Sequence, residues 1–113
     1  MATKWEVTPE KVEEAVRRIV EVSQPRRLIL FGSYVRGGMH PHSDLDILVV
    51  TGEEPASPRQ ESVRIRRALR GIPMAMDVLV VGEKTLEGVA DTPGLIYREA
   101  LREGRVVYES ADE

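Results

Sequence analysis

A chain of 113 residues with 42% hydrophobic and 31% charged side chains has the make-up of one globular domain, residues 1–113, and leaves no room for a catalytic domain beside a separate substrate domain. It has no cysteine, which excludes disulfides and thiolate-held metals, so any metal must be held by oxygen or imidazole. A net charge of -3 speaks against an extended nucleic-acid surface, though not against a nucleotide as ligand.

The opening MATKWEVTPEKVEEAV lacks the apolar centre of a secretory signal, and no apolar run nears the ~18 residues a membrane span needs, so a cytoplasmic location without membrane attachment is expected. Thr8-Pro9 is a cap followed by a proline at the first helical position. Val12, Ala15, Val16, Ile19 and Val20 then recur at helical spacing up to about Val22. RLILF (27–31) reads as a short buried strand that stops at Gly32, where the glycine-rich GSYVRGG begins. DLDILVV (44–50) is a second strand. Ser57-Pro58 repeats the cap-and-proline signal and opens a polar helix through about Arg70. MAMDVLVV (74–81) is a third strand, and EKTLEGVA suits a short helix. Thr92-Pro93 is expected to cap a last helix through Arg102, with Gly104 as its left-handed terminator, before a final strand RVVY (105–108) and a frayed ESADE tail. The pattern is one α/β or α+β unit without repeats.

Side chains two apart in a strand share a face, so Asp44 and Asp46 project together while Leu45, Ile47 and Val49 face the other way. Two like charges this close repel, and aspartate is a poor strand former, so the pair calls for a cation between its carboxylates. Oxygen donors in a chain without cysteine suit Mg²⁺, which tends to complete its shell with water and substrate phosphates. Asp77 stands inside the apolar run 74–81, where an unpartnered carboxylate is costly to bury, and it too is expected to need a cation. With the third strand beside the second, the three carboxylates suit two metals ~3.5–4 Å apart, the spacing of in-line phosphoryl chemistry. Gly32 and Ser33 supply the other half, because a glycine where strand turns to helix lets backbone amides and the hydroxyl approach a phosphate. Each feature alone is an ordinary structural one. Their conjunction, Gly-Ser followed at fixed spacing by Asp-x-Asp, arises by accident in roughly one chain in a thousand of this length.

GSYVRGGMHPHSDLDILVV, followed by MDVLVV, resembles the minimal nucleotidyltransferases of the DNA polymerase beta-like superfamily, whose signature is Gly-Ser, ten residues, Asp-x-Asp and a third Asp on a later strand. The LILFGS lead-in, the RGG turn and the closing YREALREGRVVYE extend the resemblance over most of residues 10–109. It implies the nucleotidyltransferase fold, a mixed β-sheet flanked by helices. Asp44 and Asp46 would hold the nucleotide-bound Mg²⁺, Asp77 would complete a second, catalytic Mg²⁺ site, and Gly32 and Ser33 would hold the triphosphate. Arg36, in the loop that would cover the phosphates, is a candidate phosphate ligand. Family members often carry arginine where this chain has Tyr34 and an acidic residue where it has His42. His40 and His42 are expected to be exposed loop residues, and Arg64, Arg66, Arg67 and Arg70 a solvated helix face.

The activity implied is transfer of AMP from ATP to a hydroxyl with release of pyrophosphate. Minimal members of the family pair with a HEPN-domain ribonuclease toxin and attach AMP to one of its tyrosines, so the resemblance implies an antitoxin in a hetero-oligomer. The competing reading is a non-catalytic antitoxin that neutralises by contact and keeps the fold as scaffold. A partner surface is expected on the last helix, through Leu95, Ile96 or Tyr97, with Ile96 expected to pack into the core.

Overall fold

The computed structural model describes residues 7–36, 44–93 and 95–110, the side chains of Ser33 and Arg36 excepted. Thr8 Oγ1 accepts a hydrogen bond from the Lys11 backbone N–H at 3.3 Å, Pro9 takes the first helical position, and α1 runs Pro9–Ser23. It ends on Gln24 in the left-handed region, whose N–H returns to the Val20 carbonyl. Among the described residues four strands follow: β1 (Arg27–Phe31), β2 (Leu45–Thr51), β3 (Met76–Gly82) and β4 (Arg105–Glu109). They form one sheet in the order β3-β2-β1-β4. β1 is antiparallel to both β2 and β4, whereas β2 and β3 are parallel. A parallel pair cannot be closed by a tight turn, and α3 (Pro58–Ala68) makes the crossover. β1 therefore ends where β2 and β3 begin.

The sheet is covered on both faces, which is why its central strands are nearly continuous runs of apolar residues. Leu28, Leu30, Leu45, Ile47 and Val49 pack against Val12, Ala15 and Ile19 of α1 and Ile65 of α3. Ile29, Phe31, Leu48 and Val50 pack on the other side against Leu86 of α4 (Glu83–Val89) and Ala100 of α5 (Ile96–Glu103). A fifth, four-residue helix, α2 (Ser33–Arg36), follows β1 directly. Long cations of α1 tie down the far end of α3. Arg18 donates to the carbonyls of Ala68 (3.3 Å) and Arg70 (2.8 Å), and Lys11 to that of Pro73 (2.8 Å). The Ala68 carbonyl, at the helix end, has no partner within the helix.

The elements differ from the sequence expectation mainly at their ends. Ser57 caps α3 as expected, accepting from the Gln60 N–H at 3.2 Å. Thr92 does not cap α5. Its N–H donates back to Val89 at the end of α4, and α5 starts at Ile96 with no side-chain cap. Gly104 is extended (φ -81, ψ 172) and not left-handed, because β4 begins at the very next residue and the chain must leave the helix already as a strand. The tail is less frayed than expected at its start: Glu109 pairs with Arg27, and the Ser110 N–H donates to the Arg26 carbonyl. No described helix is long and apolar enough to cross a membrane.

Helix α4 begins at Gly82, which has no side chain to cap it, and the loop after β2 supplies one instead. The Glu54 carboxylate accepts from the N–H groups of Lys84 (3.1 Å) and Thr85 (3.3 Å) and from Thr85 Oγ1 (2.5 Å). The Thr85 hydroxyl, then the two backbone N–H groups, hold its pKa below the ordinary 4.5. A carboxylate whose pKa is lowered by folding contributes stability above its unfolded pKa and loses it as pH falls through the folded value. Thermal melts of wild type and Glu54→Gln should therefore differ by a constant amount near neutral pH and converge below about pH 4.5. A gap that stays constant as the pH falls through the carboxylate range would show that the carboxylate charge is not what caps α4.

Candidate functional site

The register of the sheet decides which carboxylates meet. Asp46 is paired with Phe31 across the β1–β2 ladder and with Asp77 across the parallel β2–β3 ladder. Residues in register on adjacent strands point to the same face, about 4.8 Å apart along the hydrogen-bond direction. Asp46 and Asp77 are thus neighbours on one face at the end of the sheet where β1 stops. Asp44 lies one residue ahead of β2, exposed, two positions before Asp46. Leu45, Ile47 and Val49 are buried on the opposite face, as the alternation requires.

Gly32 closes the site from the side of β1. Its φ of +84 is one that L side chains rarely adopt, and a Cβ there would collide with Asp46 Oδ2 and stand 3.1 Å from Asp46 Cγ. Only a glycine lets the β1 exit turn this close to the Asp46 carboxylate. The chain then enters α2, with the Val35 N–H bonded to the Gly32 carbonyl at 3.2 Å. The backbone of Ser33 thus opens a helical turn beside the carboxylates. His40, His42 and the rest of residues 37–43 lie outside the described residues, as do the side chains of Ser33 and Arg36.

Asp77 departs from the sequence expectation. β3 is an edge strand, so Asp77 is not desolvated: its side chain is 54% exposed, and no buried polar or charged residue occurs among the described ones. Its cation is an arginine. Arg66 Nη2 donates to Asp77 Oδ1 at 3.1 Å, and Arg66 Nε donates to Ser62 Oγ at 3.4 Å. Arg66 is exposed, as expected of a solvated helix face, but its guanidinium meets Asp77. Its trace in the sequence is faint: Ser62 and Arg66 stand one helical turn apart, and only the α3 crossover brings them to β3. Arg64 does behave as expected, pairing with Glu61 on its own helix at 2.7 Å.

The donor set fits a hard divalent cation. It is all oxygen, two of its carboxylates are in register, and the Gly32 turn, having no Cβ, lets the Asp46 carboxylate lie against the β1 exit. Among the described residues no group of three carboxylate or imidazole side chains stands ready to hold one ion unaided, with Asp77 engaged by Arg66. The remaining ligands would have to come from substrate and water, as is usual for Mg²⁺.

The expectation for the last helix also changes in part. Ile96 is exposed (44%), as is Leu95, whereas Tyr97 packs on the core under α5. α5 ends one residue before β4, and β4 starts opposite Leu30 at the site end of the sheet, so Leu95 and Ile96 lie at the other end of the helix. Tyr34, where an arginine is common among the proteins this sequence resembles, packs against the α1 side of the core with the Arg105 guanidinium 5.8 Å above its ring.

A mixed four-stranded sheet between helices, with paired aspartates at the strand ends beside a glycine turn, defines the nucleotidyltransferase fold. The chain belongs to the nucleotidyltransferase domain family, whose model matches residues 9–72. That match takes in Gly32, Ser33, Asp44 and Asp46 and stops short of Asp77. Against curated proteins the sequence finds no significant match. Among solved structures it resembles a toxin–antitoxin complex with AMP-PNP (19% identity, TM-score 0.56, 87% of this chain and 73% of that one). It also resembles a Sulfolobus solfataricus protein assigned as a nucleotidyltransferase (22%, TM-score 0.54, 91% and 90%). A third is a mutant of the MntA–HpeT toxin–antitoxin in which two aspartates are replaced by glutamate (15%, TM-score 0.54, 92% and 75%).

Proposed function

We propose that this chain is a Mg²⁺-dependent nucleotidyltransferase that moves AMP from ATP to a hydroxyl, that the acceptor is a tyrosine of a HEPN-type ribonuclease toxin, and that the chain is the antitoxin of that pair. The observation that carries the proposal is the in-register pairing of Asp46 with Asp77 beside the Gly32 turn. Family membership supports the transfer chemistry, and the two toxin–antitoxin neighbours, one of them with AMP-PNP, support the nucleotide and the partner.

In this reading Asp44 and Asp46 hold the ion that comes with the triphosphate, and Asp77 completes a second ion site. Bound Mg²⁺ supplies Lewis-acid charge at the phosphates and lowers the pKa of the attacking hydroxyl. The chain's own part is positioning. β2 and β3 hold two carboxylates side by side on a rigid sheet, and Gly32 lets the backbone approach the triphosphate without a side chain in the way. Ser33 and Arg36 are assigned to the phosphates. The acceptor oxygen bonds to the α-phosphorus, the bond from that phosphorus to the bridging oxygen breaks, and pyrophosphate leaves with the electron pair. The hydroxyl proton passes to solvent.

The test is to incubate the purified chain and a candidate HEPN partner with Mg²⁺ and ATP labelled at the α-phosphate, then map the label by mass spectrometry. Label on a partner tyrosine, abolished by chelation, is the expected result. Neutralisation of the partner without label would overturn the transfer reading in favour of an antitoxin that works by contact alone.

A further inference from the structure

We propose that Arg66 is a positioning residue that holds the Asp77 carboxylate until a divalent cation displaces it. The inference rests on the metal-dependent reading of this site. Arg17 and Arg64 are engaged by glutamates of their own helices, Glu14 and Glu61, and Arg18 by Glu14 and by the carbonyls of Ala68 and Arg70. Arg66 leaves its own helix for β3. Ser62, one turn earlier, steers it there, accepting from Arg66 Nε while its own hydroxyl donates to the Val78 carbonyl at 3.1 Å, next to Asp77. The side chain is thus guided along the β3 edge to the carboxylate that shares a register position with Asp46.

The contact is built to be given up. One guanidinium nitrogen meets one carboxylate oxygen, not the two-pronged fork of a strong arginine–carboxylate pair. Both side chains are about half exposed, at 49% and 54%, and ion pairs in such surroundings shift an equilibrium by only a few-fold. Without a metal, Arg66 offsets one of the neighbouring negative charges on the sheet end and keeps Asp77 oriented. With a metal, the ion must take the same carboxylate, so loading at Asp77 is an exchange of guanidinium for cation.

The experiment titrates Mn²⁺, read by the EPR signal of the free ion, into the full chain with a non-hydrolysable ATP analogue present. Arg66→Ala should tighten Mn²⁺ binding roughly two- to fivefold, the scale of an exposed ion pair. Arg66→Lys, which keeps the charge, should return it toward wild type. In an Asp77→Asn background Arg66→Ala should change nothing, since the competition is gone. Unchanged or weaker binding in Arg66→Ala, or an effect that survives Asp77→Asn, overturns the assignment. Should Arg66→Ala fail to fold, Arg66→Gln, which keeps most of the stem, carries the same expectations. Asp44→Asn with Asp46→Asn separates the two failures. If that pair abolishes Mn²⁺ binding and Arg66 does not affect it, only the Arg66 role falls; if the pair changes nothing, the metal reading of the site falls and takes the Arg66 role with it.

Discussion

Replacing Asp44 and Asp46 together by asparagine is expected to lower AMP transfer at least about a thousandfold and to leave the protein folded. Asparagine keeps the shape of aspartate and one oxygen acceptor, and removes the two charges that would hold the triphosphate-bound ion. Neither position contributes to the apolar core. Asp44 is exposed ahead of β2, and Asp46 is half-buried on the face opposite Leu45, Ile47 and Val49. Relief of repulsion among Asp44, Asp46 and the adjacent Asp77 should hold or slightly raise the melting temperature in chelator. Transfer is measured with α-labelled ATP, and folding by circular dichroism and thermal melts. A variant that unfolds in metal-free buffer would show the pair to be structural and would return the Asp-x-Asp to the role of a strand opening.

Gly32→Ala should damage both fold and site. The positive φ alone costs about 1–2 kcal/mol for a residue with a Cβ. The new methyl also has to displace the Asp46 carboxylate, toward which it would point. Gly71 supplies the control, because its φ is +95 and a Cβ there meets nothing within 4 Å. Gly71→Ala therefore measures the backbone cost without the collision. A melting temperature lower by roughly 5 °C is expected for Gly71→Ala, with a larger drop for Gly32→Ala. Only Gly32→Ala should also lose Mn²⁺ binding. Equal effects on metal binding would show that Asp46 is not held against the β1 exit as described.

How much of this was readable in advance varies with the range of the interaction. Thr8 and Ser57 announce their helices because a cap is a contact with a residue three positions on, and both were legible. Thr92-Pro93 carries the same signal, yet the chain there is still in the turn that follows α4, and α5 starts only at Ile96, too far on for Thr92 to cap it. Gly104 has the look of a left-handed stop, but a strand that begins one residue later leaves no room for one.

The candidate site divides along the same line. By itself the sequence determined the Asp-x-Asp spacing at the opening of β2, the glycine at the β1 exit, and the apolar runs that make buried strands, since each follows from the geometry of neighbouring residues. Only the tertiary structure decided that β3 lies parallel to β2 in the register that sets Asp77 beside Asp46. The same crossover left β3 at the sheet edge, so that Asp77 is open to solvent, and laid α3 where Arg66 reaches it. Register and edge position are properties of strand pairing, set by how α1, α3, α4 and α5 cover the two faces. A residue's own neighbours in sequence carry almost no trace of them.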